Sequence, residues 1–231
     1  MIVHIFYRHY NVSGQDGNHR PEWFTYEKSF TNLLQTIQDE KVNLHVVYDG
    51  DVKDNFINKY RDRFTLHQID AGSDKESFFS TVRYANSINI ADTDLIYFLE
   101  NDYMHVPGWV EKVKHLFQTY SNLNYVSLYD HQDKYILPMY GDLVSKIFIS
   151  HTHHWRTTPS TCGSFVITGK LLREDCDILG TMEGDHNKFL YLNKTRGRFV
   201  CTPIPGLSTH CMRGLESPTI NWKAISYENS Y

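Results

Sequence analysis

Cysteine is scarce in this chain. Four residues, at 162, 176, 201 and 211, are spread through 231, and no two form a CxxC pair. That excludes a disulfide scaffold and a zinc knuckle, and it fits a reducing compartment. Long apolar runs are missing as well: no stretch approaches the roughly 18 residues that a membrane-spanning helix needs. The apolar start, Met1 to Arg8, has no basic lead-in and no cleavage site, so it reads as a first strand and not as a signal peptide. The expectation is a soluble, cytoplasmic protein. The sequons Asn11-Val-Ser13 and Asn193-Lys-Thr195 then read as chance matches. Basic excess is also absent. With 23 Lys and Arg against 27 Asp and Glu, the formal charge is −4, which leaves no general field for nucleic acid or anionic membrane. No Walker sequence, no GxGxxG and no GxSxG occurs, so P-loop, dinucleotide and serine-hydrolase chemistries have no footing. No repeat, low-complexity tract or linker divides the chain, and one domain over 1–231 is expected.

What is abundant is aromatic. Phe, Trp and Tyr make up 14%, with sixteen tyrosines. Such rings suit pockets that stack on a flat ligand and bond its edge, and they equally suit a packed core and its rim. The first half alternates strand and helix signals. Strands are expected at 2–7, 42–48, 64–69, 95–99 and 125–128. Helices are expected at 22–38, 53–60, 76–90 and from Pro107 to about 120, proline being at home in a first turn. This alternation predicts an open α/β sheet, largely parallel, with helices on both faces. The second half is less regular: residues 129–162 hold few helix signals, followed by a strand at 165–168, a helix starting at 170–176, a helix at 185–193 and a strand at 198–202.

Ligands of open α/β sheets collect outside the carboxyl ends of the strands. The run Leu95-Ile-Tyr-Phe-Leu99 delivers Glu100-Asn101-Asp102 to that edge. In an extended chain, residues i and i+2 point the same way, so the two acids are expected to present oxygens together. Hard divalent cations want such ligands, with water and phosphate oxygens completing the shell. The competing explanation is an acidic cap on the helix after Pro107. Asp92 and Asp94 precede the strand and lie at the wrong end. Asp49-Gly-Asp51 lies at the right end, where it could bind metal, accept hydrogen bonds from a nucleoside, or simply make a turn.

The segment from Arg83 through Ala91-Asp-Thr-Asp-Leu-Ile-Tyr-Phe-Leu-Glu-Asn-Asp102, with Pro107-Gly-Trp109, resembles the core signature of GT-A glycosyltransferases. There, a helix carrying Arg and Asn leads into an apolar strand that ends in a DxD motif, and a proline opens the next helix. Here Glu100 stands at the first acidic position. The resemblance covers 2–120 well and 160–212 more loosely. It implies a Rossmann-like GT-A domain, with 1–128 as the nucleotide-sugar half and 129–231 as the acceptor half. It also implies a nucleoside diphosphate sugar as donor, a glycan or glycoside as acceptor, and Mn²⁺ or Mg²⁺ as cofactor. By similarity, Tyr7 borders the base, Asp49 accepts its N–H, and Arg8, Arg83 and Asn101 contact the nucleotide. Glu100, Asp102 and His210, the last in Gly206-Leu-Ser-Thr-His210, would hold the metal.

Met182-Glu-Gly-Asp185 resembles the acidic motif that supplies the base in inverting members. Asp185 is the preferred base and Glu183 the alternative; helix capping would explain either acid as well. His151 and His153 alternate as zinc ligands on a strand would, but no third and fourth ligand is evident. In the glycosyltransferase reading, Trp155 and His153 line the acceptor cleft. Two other classes compete: a sugar nucleotidyltransferase, which would want a glycine-rich basic loop where Tyr7 to Gly14 stands, and a catalytically silent carbohydrate-binding relative.

Overall fold

The computed structural model describes residues 1–10, 19–38, 40–151 and 153–228. Strand β1 (Val3–Tyr10) is the hub. Its side chains alternate between two cores, as a period of two requires: Val3, Ile5 and Tyr7 join one apolar cluster and Phe6 joins the other. Helix α1 (Tyr26–Thr36) begins four residues later than its apolar spacing suggested, because Pro21–Phe24 closes a turn and the Thr25 hydroxyl caps the Lys28 N–H. Then come β2 (Val42–Asp49), a 3-10 segment at Phe56–Arg63, and β3 (Thr65–Ile69). The short helix expected near 53–60 is this 3-10 segment, begun three residues later, and the Asn55 side chain caps it. Helix α2 (Asp74–Ser87) opens on a capping box, with Ser73 Oγ taking the Glu76 N–H.

Strand β4 (Leu95–Glu100) is followed at once by a turn at Asn101-Asp102, the short β5 (Tyr103–His105) and α3 (Trp109–Thr119). The second half is more ordered than its sequence suggested. It contains β6 (Tyr125–Val126), a single helical turn α4 (Asp133–Ile136), an antiparallel pair β7 (Ile147–Ser150) and β8 (His153–Thr158), and β9 (Phe165–Thr168). Helices α5 (Gly169–Leu179) and α6 (Asp185–Arg196), strands β10 (Val200–Ile204) and β11 (Ser208–His210), and α7 (Trp222–Glu228) complete it.

Nine strands form one sheet in the order β3-β2-β1-β4-β9-β6-β10-β8-β7. Following the pairings across it, seven strands run one way, and only β8 and β9 oppose them. Helices α1 and α3 cover one face through Phe30, Leu33, Val113 and Leu116, and α2, α5 and α6 cover the other through Phe79, Leu172 and Phe189. Each large side chain buried in these layers contributes about 1.5–3 kcal/mol over its exposed state. The remaining pair, β11 with β5, is antiparallel and places His210 opposite Tyr103. Among the described residues, no helix is long and apolar enough to cross a membrane.

Candidate active site

The sheet register builds the site. Parallel pairing of β1 with β4 sets Arg8 beside Glu100, and pairing with β2 sets Tyr10 beside Asp49, so three strand ends converge on one edge. A cleft of about 590 Å³ opens there, lined by Arg8, Arg20, Asp49, Asp74, Glu100 and Asp102 among others. That volume falls in the range of small-molecule sites. A second recess of about 260 Å³ shares Arg8, Asp74 and Glu100 with the first and ends on Glu183, Asp185 and Lys188.

The two acids of the Glu100-Asn101-Asp102 triplet do not lie side by side along an extended strand. The strand ends at Glu100, and Asn101 and Asp102 form the turn into β5. Each acid therefore has its own partners. Glu100 Oε1 accepts from Arg8 Nη2 at 2.9 Å and Oε2 from Ser164 Oγ at 3.1 Å. Burial pushes its carboxyl up to about 7 against the pull of Arg8, and the neighbouring Asp102 charge adds to the rise. Arg8 is held on its other side by Asp74, Nη1 to Oδ1 at 2.8 Å. Gly163 makes room for this pair, since a Cβ there would lie 3.0 Å from Glu100 Oε1 and 3.1 Å from Arg8 Nη2.

Asp102 faces the other way. Its Oδ2 receives His210 Nε2 at 2.9 Å and Arg20 Nη2 at 2.7 Å, while its buried Oδ1 has no hydrogen-bond partner. Burial would raise this carboxyl, but His210 and Arg20 outweigh it and hold it near 2. Burial would likewise lower His210, and the Asp102 and Glu100 carboxylates reverse that into a rise. The β5–β11 pairing fixes the imidazole, which stacks on Tyr103 with ring centroids 5.2 Å apart and planes 7° from parallel.

This donor set fits a divalent cation. The orphaned buried carboxylate oxygen, and the His210 nitrogen once it has given up its proton, would supply two protein ligands, and Mg²⁺-type sites take their other positions from water and phosphate. Among the described residues no cluster of three or more His, Cys, Asp or Glu could hold a metal unaided. Glu100 is tied to Arg8 and Ser164. A cation here would rest on Asp102, His210 and its substrate.

The remaining expected residues separate into two groups. Asp49 lines the cleft, and its Oδ1 caps the Ala71 N–H at 2.7 Å, so turn-former and cleft wall are the same residue. Asn101 is buried and bonds His9 Nδ1 through Nδ2 at 2.9 Å. Asp185 opens α6 at the floor of the smaller recess, where the buried Lys188 Nζ lies 3.3 Å from its Oδ1. Glu183 stands further out, 3.7 Å from Lys75 Nζ, with 76% of its side chain exposed.

Four expectations are corrected. Tyr7 is buried against Phe30 with its hydroxyl on the Asn101 carbonyl, so its ring presents no face to a base. Arg83 is exposed on α2, bonded to Ser80 Oγ, and does not line the cleft. Trp155 is fully buried, with Nε1 donating to Ser150 Oγ at 2.7 Å, so it is core and not acceptor wall. His153 donates to the Pro205 carbonyl and lines neither recess. The paired zinc reading of His151 and His153 finds no ligand cluster among the described residues.

Sequence reasoning missed Arg20, Ser73, Asp74, Gly163, Ser164 and Lys188. The capping box Ser73-Asp-Lys-Glu76 marked the start of α2 and so could have found Asp74 at the strand-end edge. Arg20 carries no periodic or motif signal and is placed only by tertiary structure.

No protein-family model matches the sequence, and no curated protein matches it. Solved structures do match. One is a protein of Desulfovibrio desulfuricans G20 assigned as a nucleotide-diphospho-sugar transferase, with a TM-score of 0.51 and 11% identity over 87% of this chain and 80% of that one. Another is S. aureus TarS 1–349, with a TM-score of 0.52 and 12% identity over 87% of this chain. The present chain spans 58% of that TarS structure. At such identity the likeness establishes the fold, and the fold is of the GT-A type.

Proposed function

We propose that the chain is a glycosyltransferase that moves a sugar from a nucleoside diphosphate donor to a hydroxyl of a glycan or glycoside acceptor. The observation that carries this reading is the continuity of the two recesses. They share Arg8, Asp74 and Glu100, and one ends on Asp102, with His210 bonded behind it, while the other ends on Asp185. A donor laid along the strand ends would have its nucleoside near Asp49, its diphosphate by Asp102, and its anomeric carbon near the junction. UDP is the leading nucleotide, from the resemblance to GT-A enzymes.

Asp185 is the base in this scheme. Its carboxylate takes the proton of the acceptor hydroxyl as that oxygen bonds to the anomeric carbon, and the carbon–oxygen bond to the diphosphate breaks on the opposite face. The configuration inverts. General-base help of this kind is worth on the order of 10²–10⁴-fold. Lys188, buried beside Asp185, orients the carboxylate. A Mn²⁺ or Mg²⁺ held by Asp102 and His210 would neutralise the charge that gathers on the leaving diphosphate. The Arg8–Glu100 pair walls the junction.

Calorimetry with UDP, with and without Mn²⁺, tests the reading. Metal-dependent binding is expected, and Asp102→Ala should abolish the dependence. A chain that binds no nucleoside diphosphate with either Mn²⁺ or Mg²⁺ is not this enzyme.

A further inference from the structure

Arg20 lines the cleft and has no role so far, and its surroundings are unusual. Its Nη2 lies 2.7 Å from Asp102 Oδ2, the same oxygen that His210 Nε2 approaches at 2.9 Å, while Nη1 lies 3.5 Å from that imidazole nitrogen. Two nitrogen groups thus crowd one carboxylate oxygen, and the other oxygen has none. The guanidinium is lightly tethered otherwise. Nη1 donates to the Cys211 carbonyl at 3.1 Å, Nη2 makes a long 3.5 Å bond to the Tyr26 hydroxyl, Nε is buried without a partner, and the guanidinium carbon sits 5.3 Å over the Phe24 ring and 5.8 Å over Tyr26. Aromatic faces hold a guanidinium through its charge and not through fixed hydrogen bonds, so the group can shift along them without losing that contact.

The charge in the cleft decides what such a shift is for. Its lining holds five carboxylates, Asp49, Asp70, Asp74, Glu100 and Asp102, against two guanidiniums. As arranged, it attracts cations and repels a diphosphate. Arg8 is spoken for by two carboxylates, Glu100 and Asp74. Arg20 has one, Asp102, and that is the carboxylate that fits a divalent cation. A doubly charged ion on Asp102 and the Arg20 guanidinium repel each other at this range, so the two occupants exclude one another.

Resting on the donor reading above, we propose that Arg20 is a two-position phosphate ligand. It is the counter-ion of Asp102 until a divalent cation takes that carboxylate, and it then turns its planar fork onto the donor's diphosphate, a geometry suited to bidentate phosphate contact. Cation and nucleotide binding are coupled through this one side chain: each favours the other because both favour the displaced position of Arg20.

The test measures binding, not turnover. Calorimetry would follow Mn²⁺ alone, then UDP at saturating Mn²⁺, on wild type, Arg20→Ala and Arg20→Lys. Arg20→Ala should bind Mn²⁺ alone about 3–10-fold more tightly, having lost the competing guanidinium, and should bind UDP about 10-fold more weakly. A merely structural arginine would lower both affinities, and that result, or no change in either, overturns the proposal. Arg20→Lys keeps the charge and loses the fork, so Mn²⁺ affinity should hold while UDP weakens at least about threefold. Should Arg20→Ala fail to fold, the lysine variant decides alone, and wild-type UDP affinity in it is the refuting result. If wild type itself binds no nucleoside diphosphate at saturating Mn²⁺, the donor reading falls and this inference with it. If wild type binds UDP and the Arg20 variants bind it equally well, only this inference falls.

Discussion

Replacing His105 by Gln should flatten the acid limb of the stability curve. His105 lies on β5, fully buried, with Nε2 accepting the Tyr97 hydroxyl at 3.0 Å and Nδ1 unpartnered. Burial pushes its pKa down to about 3, whereas the unfolded chain titrates near 6.5. Between those values the unfolded state carries a proton that the native state refuses, so stability falls as the pH drops through 6.5 toward 3. Each unit of pH in that window costs about 1.4 kcal/mol, or about 2 kcal/mol between pH 6.5 and 5. Other groups titrate in the same range, and some oppose it: Glu100, raised to about 7, gains stability on acidification. Those contributions cancel when the variant is subtracted from wild type, because Gln keeps an acceptor for Tyr97 and never titrates. Urea unfolding at half-unit steps from pH 7 to 4.5, followed by tryptophan fluorescence, gives the difference. Trp109, whose ring centroid lies 5.1 Å from that of His105, reports on this part of the core. Two parallel curves would refute the argument, since they would mean that His105 takes up its proton without unfolding.

Three other perturbations have defined outcomes. Gly163→Ala places a methyl against the Arg8–Glu100 pair and should cost about 1–3 kcal/mol in urea unfolding, with UDP affinity also falling in calorimetry. Gly169→Ala would drive its methyl into the Ala91 carbonyl oxygen, a backbone atom that cannot move aside; it should destabilise by about 2 kcal/mol or more in the same assay while the folded protein keeps its nucleotide affinity. Asp185→Asn should leave donor binding within about twofold and reduce transfer, measured as UDP release with acceptor present, by about 10²–10⁴-fold.

The parallel half of the fold was legible because its strands are buried on both faces and read as apolar runs bounded by turn residues, as Leu95 to Leu99 does. The β7–β8 pair was not, because His153, His154, Arg156 and Thr157 break any simple alternation, and only pairing with β7 on one side and β10 on the other defines β8. Within the site, Glu100, Asp102 and Asp185 could be found because a strand end and a helix start mark them in one dimension. Trp155 and Tyr7 were misplaced for the same physical reason: an aromatic ring packs a core as readily as it lines a pocket, and the sequence carries no sign of which face is covered. Arg20 reaches Asp102 across 82 positions, and the Cys211 carbonyl it also bonds stands 191 positions away. No local pattern encodes such a meeting.

The small β5–β11 ladder carries a consequence for biosynthesis. It joins a short segment from the middle of the chain to one near residue 210, and the contact it secures, Asp102 with His210, spans 108 positions. Strands β1, β2, β3 and β4 can pair as soon as they leave the ribosome, so most of the cleft wall stands early. The His210 partner of Asp102 arrives only after residue 210 has emerged. A nascent chain would therefore present a formed cleft wall while Asp102 still lacked its His210 partner.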